Sequence, residues 1–302
     1  LYIYTHTVTN RINYVFGLIF KEILALDVTL TSDLTEFSNY KGPKISYGDK
    51  PIGDELFFGA TRLLFEKGII DQDIKMSKYR DLPCFFLIKN AQTEFPFDVF
   101  AVCFYLVTRY EEYLPHIPDL HNRFPANSSI AFANGFLQIP LVNIYARWIK
   151  ESISKKHPTL IFPKGEYKFV STIDVDNAFK FKQKGFARNM GGYLRALYKF
   201  DFEEIVERTQ VLFFGKKDPF DTYEEHLALK AKYKFDNIYF FLLGDYAHND
   251  KNISIRKRKF QSLIKFIGDY SQVGIHPSYT SNQNKLILFQ EKERMEKVIH
   301  AN

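Results

Sequence analysis

Apolar positions along the chain fall into two regimes. Residues 1–4 form a short strand-like run, and Thr9 stands as a helix cap before Ile12, Val15, Phe16, Ile19 and Ile23, which share one helical face. Residues 27–30, 45–47 and 84–88 add strand candidates, the last an unbroken apolar run after Pro83. The pattern predicts a helix over 98–114, built on Val99, Phe100, Val102, Cys103 and Leu106 and stopped by Pro115, and another over 142–154 carrying Ile144, Trp148 and Ile149. Together these predict a mixed α/β domain. The short polar stretch Pro163-Lys-Gly165 separates it from a more regular second half, which places the boundary there: residues 1–163, then 164–302.

In the second half strands and helices alternate. Strands are predicted over 167–173, 237–243 and 273–275. Between and after them, helices are predicted over 192–212, 222–232, 256–267 and 286–299, with Thr222 and Glu225 spaced as a capping box. Phe240 and Phe241 read as buried strand residues, and the basic run 256–259 as the wet face of its helix. Such alternation predicts βαβ units and a parallel sheet, open or closed into a barrel. In such folds ligands bind at the carboxyl ends of strands.

Reading those ends gives Asp174 and Asp176 after the first strand, Asp245 after the second and His276 after the third. Alternate residues of an extended segment point the same way, so Asp174 and Asp176 can share a pocket, and a bound cation is the ordinary way to keep two neighbouring carboxylates ionised. A carboxylate oxygen with an imidazole nitrogen suits Zn²⁺ or a similar divalent ion, and the second carboxylate is then placed to take a proton from water. A lone Asp-x-Asp is more often a turn or cap; the shared sheet edge, and the redirection of the chain by Pro277 and Ser278, favour the site. Asp245 reads as loop solvation.

Three segments, Thr172-Ile-Asp-Val-Asp176, Ile238-Tyr-Phe-Phe-Leu-Leu-Gly244 and Val273-Gly-Ile-His-Pro-Ser-Tyr279, resemble in order and spacing the opening motifs of polysaccharide deacetylases of the NodB-homology class, carbohydrate esterase family 4. The resemblance implies a partial, deformed β/α barrel that removes acetyl groups from a glycan with a divalent metal, usually zinc. It makes Asp174 the general base and Asp176 and His276 the metal ligands. The family's aspartates are adjacent, whereas Val175 separates these two, so their roles can be exchanged; where the family has a second histidine this chain has Thr280. The family's later motifs, which supply an arginine beside the base, an acetyl pocket and an acid histidine, have no counterpart. Through Arg109-Tyr-Glu-Glu-Tyr113 and Asp119-Leu-His-Asn-Arg-Phe124 the first half resembles an accessory domain that precedes bacterial deacetylases of this kind.

Composition narrows the rest. The 302 residues have 46% apolar side chains, enough for a large core, and the formal charge of +6 is spread among interspersed acids, which argues against nucleic acid as a partner. Aromatic residues make up 17%; most read as core, and some are available to stack on sugar rings. Cys84 and Cys103 lie among apolar residues and read as buried free thiols. No run approaches the roughly 20 apolar residues of a membrane span, and no basic-then-apolar leader is seen, which leans toward the cytoplasm. A start at Leu1 directly in a strand reads as a fragment. His116, Asp119 and His121, between prolines, read as a solvated loop, as do Lys180, Lys182, Lys184 and Arg188. Rival readings of the Asp-x-Asp are a glycosyltransferase, which leaves His276 unexplained, a phosphotransferase, and a degenerate glycan-binding or scaffold domain without metal.

Overall fold

The computed structural model describes residues 1–282 and 284–299, and the chain divides into two compact units, Leu1–Glu166 and Tyr167–Asn302. Unit 1 runs β1 (Tyr2–Tyr4), α1 (Asn10–Phe16), β2 (Thr29–Thr31), α2 (Leu34–Asn39), β3 (Lys44–Gly48), β4 (Leu56–Gly59), β5 (Ser77–Tyr79), β6 (Leu82–Cys84), α3 (Val99–Val107), α4 (Ile130–Ala133) and α5 (Leu141–Lys156). Thr9 caps α1 as expected, its hydroxyl accepting from the Ile12 N–H, and the helix continues as a π-helix over Gly17–Ile23. Four strands form a parallel sheet in the order β2-β1-β3-β4, and β5 and β6 form a separate antiparallel hairpin.

An aromatic cluster of Phe16, Phe20, Tyr47, Phe58 and Phe100, all within 1% of full burial, fills the space between this sheet and α1 and α3. Seven consecutive residues of α3, Val99 to Tyr105, are buried, which is why its pattern is apolar all round. The run predicted as a strand over 84–88 departs from that expectation: β6 stops at Cys84 because Phe86 takes a left-handed backbone, φ 58°, leaving only the Leu87–Phe97 bridge beyond it. The helix predicted to 114 ends at Val107, and Arg109, φ 51°, starts a separate 3₁₀ turn over Tyr110–Tyr113. Both cysteines are buried free thiols, and burial pushes the Cys103 thiol far above the ordinary range.

Unit 2 runs β7 (Val170–Val175), α6 (Phe186–Tyr198), α7 (Phe202–Phe213), α8 (Tyr223–Tyr233), β8 (Asp236–Leu242), α9 (Arg258–Tyr270), β9 (Gln272–His276) and α10 (Lys285–Ile299). The protein is therefore α/β with parallel sheets. In unit 2 the strands lie side by side in sequence order, β7-β8-β9, all parallel, and the described strands form an open sheet rather than a closed barrel. The predicted helix over 192–212 is two helices: Phe200 turns the chain at φ 56°, and Asp201 caps α7 by accepting from the Glu204 N–H. The capping box at Thr222 does not form; Thr222 makes no side-chain cap hydrogen bond, and its hydroxyl meets His226 Nε2 at 3.2 Å instead.

One face of the β7-β8-β9 sheet is covered. Val175, Tyr239 and Phe241 point to it and pack with Tyr223 of α8, Phe260, Ile264 and Ile267 of α9, and Met295 and Val298 of α10. The opposite face carries Thr172, Asp174, Phe240 and Gly274, by the two-residue alternation of strands. Phe240 is therefore half-buried on this second face rather than in the core, while Phe241 is fully buried. The Phe240 ring lies over Gly274, where a Cβ would come within 2.9 Å of Phe240 Cδ1.

Candidate functional site

Strand register assembles the candidate residues row by row. Asp174 pairs with Phe240 and Phe240 with Gly274; two residues on, Leu242 pairs with His276, and Asp176 follows β7 at the same level. His276 and Asp176 thus flank Leu242 at the carboxyl edge of the sheet. Their side chains close the gap, with His276 Nε2 3.8 Å from Asp176 Oδ1. Asp176 is two-thirds exposed and His276 about one-third, so both are open to a ligand. The other ring nitrogen of His276, Nδ1, is buried and has no hydrogen-bond partner among the described residues.

Asp174 and Asp176 both line a cleft of about 410 Å³ whose far wall is Pro219, Phe220, Thr222, Tyr223 and His226. The turn before α8 and the start of that helix form that wall, and one residue ties it to the loop after β7. Asp218 is buried and accepts four backbone N–H bonds: Lys180 (2.7 Å) and Phe220 (3.1 Å) on Oδ1, Phe181 (2.9 Å) and Lys182 (3.0 Å) on Oδ2. Burial alone would raise its pKa, but the N–H donors outweigh that and hold the carboxyl below its usual range. Tyr223 adds a second tie, its hydroxyl donating to Ala178 O at 3.0 Å. The chain leaving Asp176 is thereby fixed against the wall of the cleft. Neither Asp218 nor His226 stands out by spacing; an Asp-Pro pair in a loop is the only signal that Asp218 gives.

The chain leaving His276 is held in the same manner. Ser278 N–H donates to Glu291 Oε2 at 3.1 Å, and Tyr279 N–H donates to the Asp250 carboxylate at 3.1 Å; Glu291 and Asp250 are both buried. Gly244 is required beside them, since a Cβ there would lie 2.6 Å from Ser278 Cβ. Thr280 lies in the 3₁₀ turn Tyr279–Asn282, with its hydroxyl 3.1 Å from Ser278 Oγ. Asp245, read from the sequence as solvated, is indeed exposed, and there it pairs with Arg294 at 2.9 Å while Arg294 also donates to Leu243 O.

Two donors for a divalent ion converge here, and the oxygen and imidazole nitrogen are of the right chemistry. Among the described residues no group of three His, Cys, Asp or Glu side chains is placed to hold a metal, so Asp174 stands outside the Asp176–His276 pair. Of the basic residues after β7, Lys180 pairs with Glu207 at 2.7 Å and Arg188 donates to Asn252 O and Lys251 O, so these two are structural rather than merely solvated.

In unit 1 the two motifs singled out from the sequence meet. Arg109, Glu112, His116, Asp119, Arg123 and Phe124 line one polar cleft of about 580 Å³. Asp119 acts as a loop organiser: it accepts from the N–H groups of Arg123 and His121 and from the Arg123 side chain, which bring its pKa down to about 2.

No curated protein and no solved structure matches the chain. Residues 1–158, more than half of the chain and nearly all of unit 1, match the family described as a family of unknown function (DUF7033). The protein belongs to that family.

Proposed function

We propose that unit 2 is a metal-dependent glycan deacetylase domain of the NodB type, with β7, β8 and β9 as the opening strands of its barrel. The observation that carries this reading is the 3.8 Å approach of His276 to Asp176 at the carboxyl edge of three consecutive parallel strands, with Asp174 one row back on the same cleft. Asp176 and His276 would hold the ion, zinc by the match of donor types. A divalent cation bound there supplies positive charge to polarise an acetyl carbonyl and to stabilise the negative charge that develops on its oxygen.

The chain's own contribution is positional and acid–base. Asp174 is exposed on the uncovered face of the sheet, one row back from Asp176, where its carboxylate would take a proton from an attacking water. A metal-free glycan-binding domain is the second reading, favoured by Thr280 engaging Ser278 at the position where the resemblance expects a further ligand.

The test is zinc content after chelation and reloading, for the full chain and its Asp176→Ala and His276→Ala variants, together with acetate release from acetylated chito-oligosaccharides. Stoichiometric zinc lost in both variants, with acetate release lost in Asp174→Asn while zinc is kept, supports the assignment. An Asp174→Asn protein with the full rate would remove Asp174 as base. Absence of stoichiometric zinc from the full chain and both variants would favour the metal-free reading, and zinc retained in both variants would overturn Asp176 and His276 as ligands.

A further inference from the structure

The two motifs that meet in unit 1 divide their side chains between holding the fold and lining an open cleft. In the first, Tyr110 and Glu111 turn inward. The Tyr110 hydroxyl donates to Ile70 O at 3.0 Å and accepts from the Ile70 N–H at 2.8 Å, and Glu111 accepts from the Ile130 N–H at 2.9 Å. Arg109 and Glu112 line the cleft and pair with each other; neither side chain has a hydrogen bond or ion pair to any other described residue. Arg109 is held there at φ 51°, a left-handed backbone that a non-glycine residue adopts at a cost and that collects at ligand sites. In the second motif, Asp119 Oδ1 accepts from the His121 and Arg123 N–H groups and so closes the loop, while Oδ2 orients the Arg123 guanidinium, accepting from Nε at 3.0 Å and Nη2 at 2.8 Å. Both guanidiniums are 68% exposed, and the cleft of about 580 Å³ that they share is of the size that holds a small ligand.

The donor and acceptor set selects the class of ligand. Two guanidiniums stand against two carboxylates in the lining, each pair in contact, and the neighbouring Glu111 is engaged by Ile130. An anion entering the cleft meets Glu112 and Asp119, and a cation meets Arg109 and Arg123, so neither sign of charge is favoured. Each pair instead sets N–H donors of fixed direction beside carboxylate acceptors. That is the complement of vicinal hydroxyls, since every hydroxyl both donates and accepts. His116 contributes an acceptor: its Nδ1 lies 2.9 Å from Leu114 O, a group that only accepts, so in the neutral ring Nδ1 carries the proton and Nε2 keeps its lone pair. Phe124, half-buried and 5.1 Å from the His116 ring, gives the lining an aromatic surface for the apolar C–H face of a pyranose.

We propose that this cleft of unit 1 binds a neutral oligosaccharide, with the Arg109–Glu112 and Arg123–Asp119 pairs on vicinal hydroxyls and Phe124 against a sugar ring. The proposal does not rest on the deacetylase reading of unit 2. Its test is titration calorimetry of the full chain, with and without chelator, against tetrasaccharides of glucose, mannose, galactose and N-acetylglucosamine, and against tetragalacturonate as the anionic probe. At least one neutral probe is expected to bind, equally well with chelator and as salt is raised, and tetragalacturonate to bind more weakly. Arg109→Gln and Glu112→Gln are each expected to weaken binding about tenfold by removing a charge-assisted hydrogen bond to the sugar, and Arg109→Lys, which keeps the charge without the planar fork, to do the same. Thermal unfolding of these variants is expected to match that of the wild type, because an exposed pair adds little stability. No binding of any neutral probe, a preference for tetragalacturonate, or binding indifferent to the Arg109 and Glu112 changes would overturn the proposal. So would binding abolished by chelator, since that assigns the sugar to the metal site of unit 2; failure of the zinc test alone leaves the expected binding as it is.

Discussion

Asp98 gives unit 1 a pH dependence that runs against the usual acid sensitivity of proteins. It caps α3 through Oδ1, which accepts from the Ala101 N–H at 2.9 Å, while Oδ2 accepts from Tyr47 Oη (2.9 Å), Thr61 N (2.6 Å) and Thr61 Oγ1 (2.8 Å). Complete burial outweighs these donors and raises its pKa from 3.8 to about 6. Between those values the native state binds a proton that the unfolded chain releases, so stability falls as pH rises through this window and is flat above it. At 1.36 kcal/mol per pH unit the full difference is about 3 kcal/mol, most of which is realised between pH 7 and pH 4. Asp98→Asn removes the titration. It also presents an NH₂ or leaves the Thr61 N–H without its acceptor, a pH-independent cost of about 1–3 kcal/mol. The assay is urea unfolding followed by fluorescence of Trp148, the single tryptophan, which packs against Tyr79, Phe95 and Tyr145 in unit 1 and so reports on that unit. The wild-type advantage over Asp98→Asn is expected to grow by about 2–3 kcal/mol from pH 7 to pH 4. A gap that stays constant across that range would refute the reasoning.

Three further outcomes follow from unit 2. Asp218→Asn replaces one oxygen of a carboxylate that accepts four N–H groups, and is expected to cost about 2–4 kcal/mol and to speed amide exchange over residues 177–185 in hydrogen–deuterium exchange, with exchange in α10 unchanged. Gly192→Ala forces the Arg208 guanidinium from its buried seat and is expected to destabilise by about 1–3 kcal/mol in thermal unfolding, with Arg208→Ala largely removing the added penalty. Gly274→Ala drives the Phe240 ring off the sheet; because that ring is half-exposed and free to swing, a loss of about 1 kcal/mol is expected, and the Phe240→Leu background cancels most of it.

Periodicity carried most of the fold because most elements bury one face. The helix start at Thr9, the helix of residues 142–154 and the three strands of unit 2 were legible because their apolar spacing matched a period. Strand β4 was missed: its residues Leu56 to Gly59 form too short a run to stand out, and its identity comes from pairing with β3. The break between α6 and α7 escaped for a different reason, since Phe200 fits a helical pattern by type and only its left-handed backbone ends the helix. At the candidate site, Asp174, Asp176 and His276 were visible as polar residues at strand ends, a rule of position. Asp218, Glu291 and Asp250 were not, because each acts by accepting backbone N–H groups from residues far along the chain, and no local spacing records that.

Asp98 and Asp218 show why such anchors differ in consequence despite nearly equal hydrogen bonding. Each carboxylate accepts four bonds, yet Asp98 is raised to about 6 and Asp218 is lowered. Asp98 lies deep beneath Tyr47 and α3, and two of its four donors are hydroxyls, which can turn to accept from a protonated carboxyl as readily as they donate to a carboxylate. Asp218 is satisfied entirely by backbone N–H groups, which can only donate and so favour the charged form. Its stabilising effect is present above the unfolded pKa and is lost as pH falls through the lower folded value, opposite in sign to that of Asp98. Acid therefore strengthens α3 in unit 1 while loosening the loop that holds the wall of the Asp174–Asp176 cleft. The candidate site is expected to lose its order in acid before the core of unit 1 does, because its anchor depends on a charge and that of unit 1 on the absence of one.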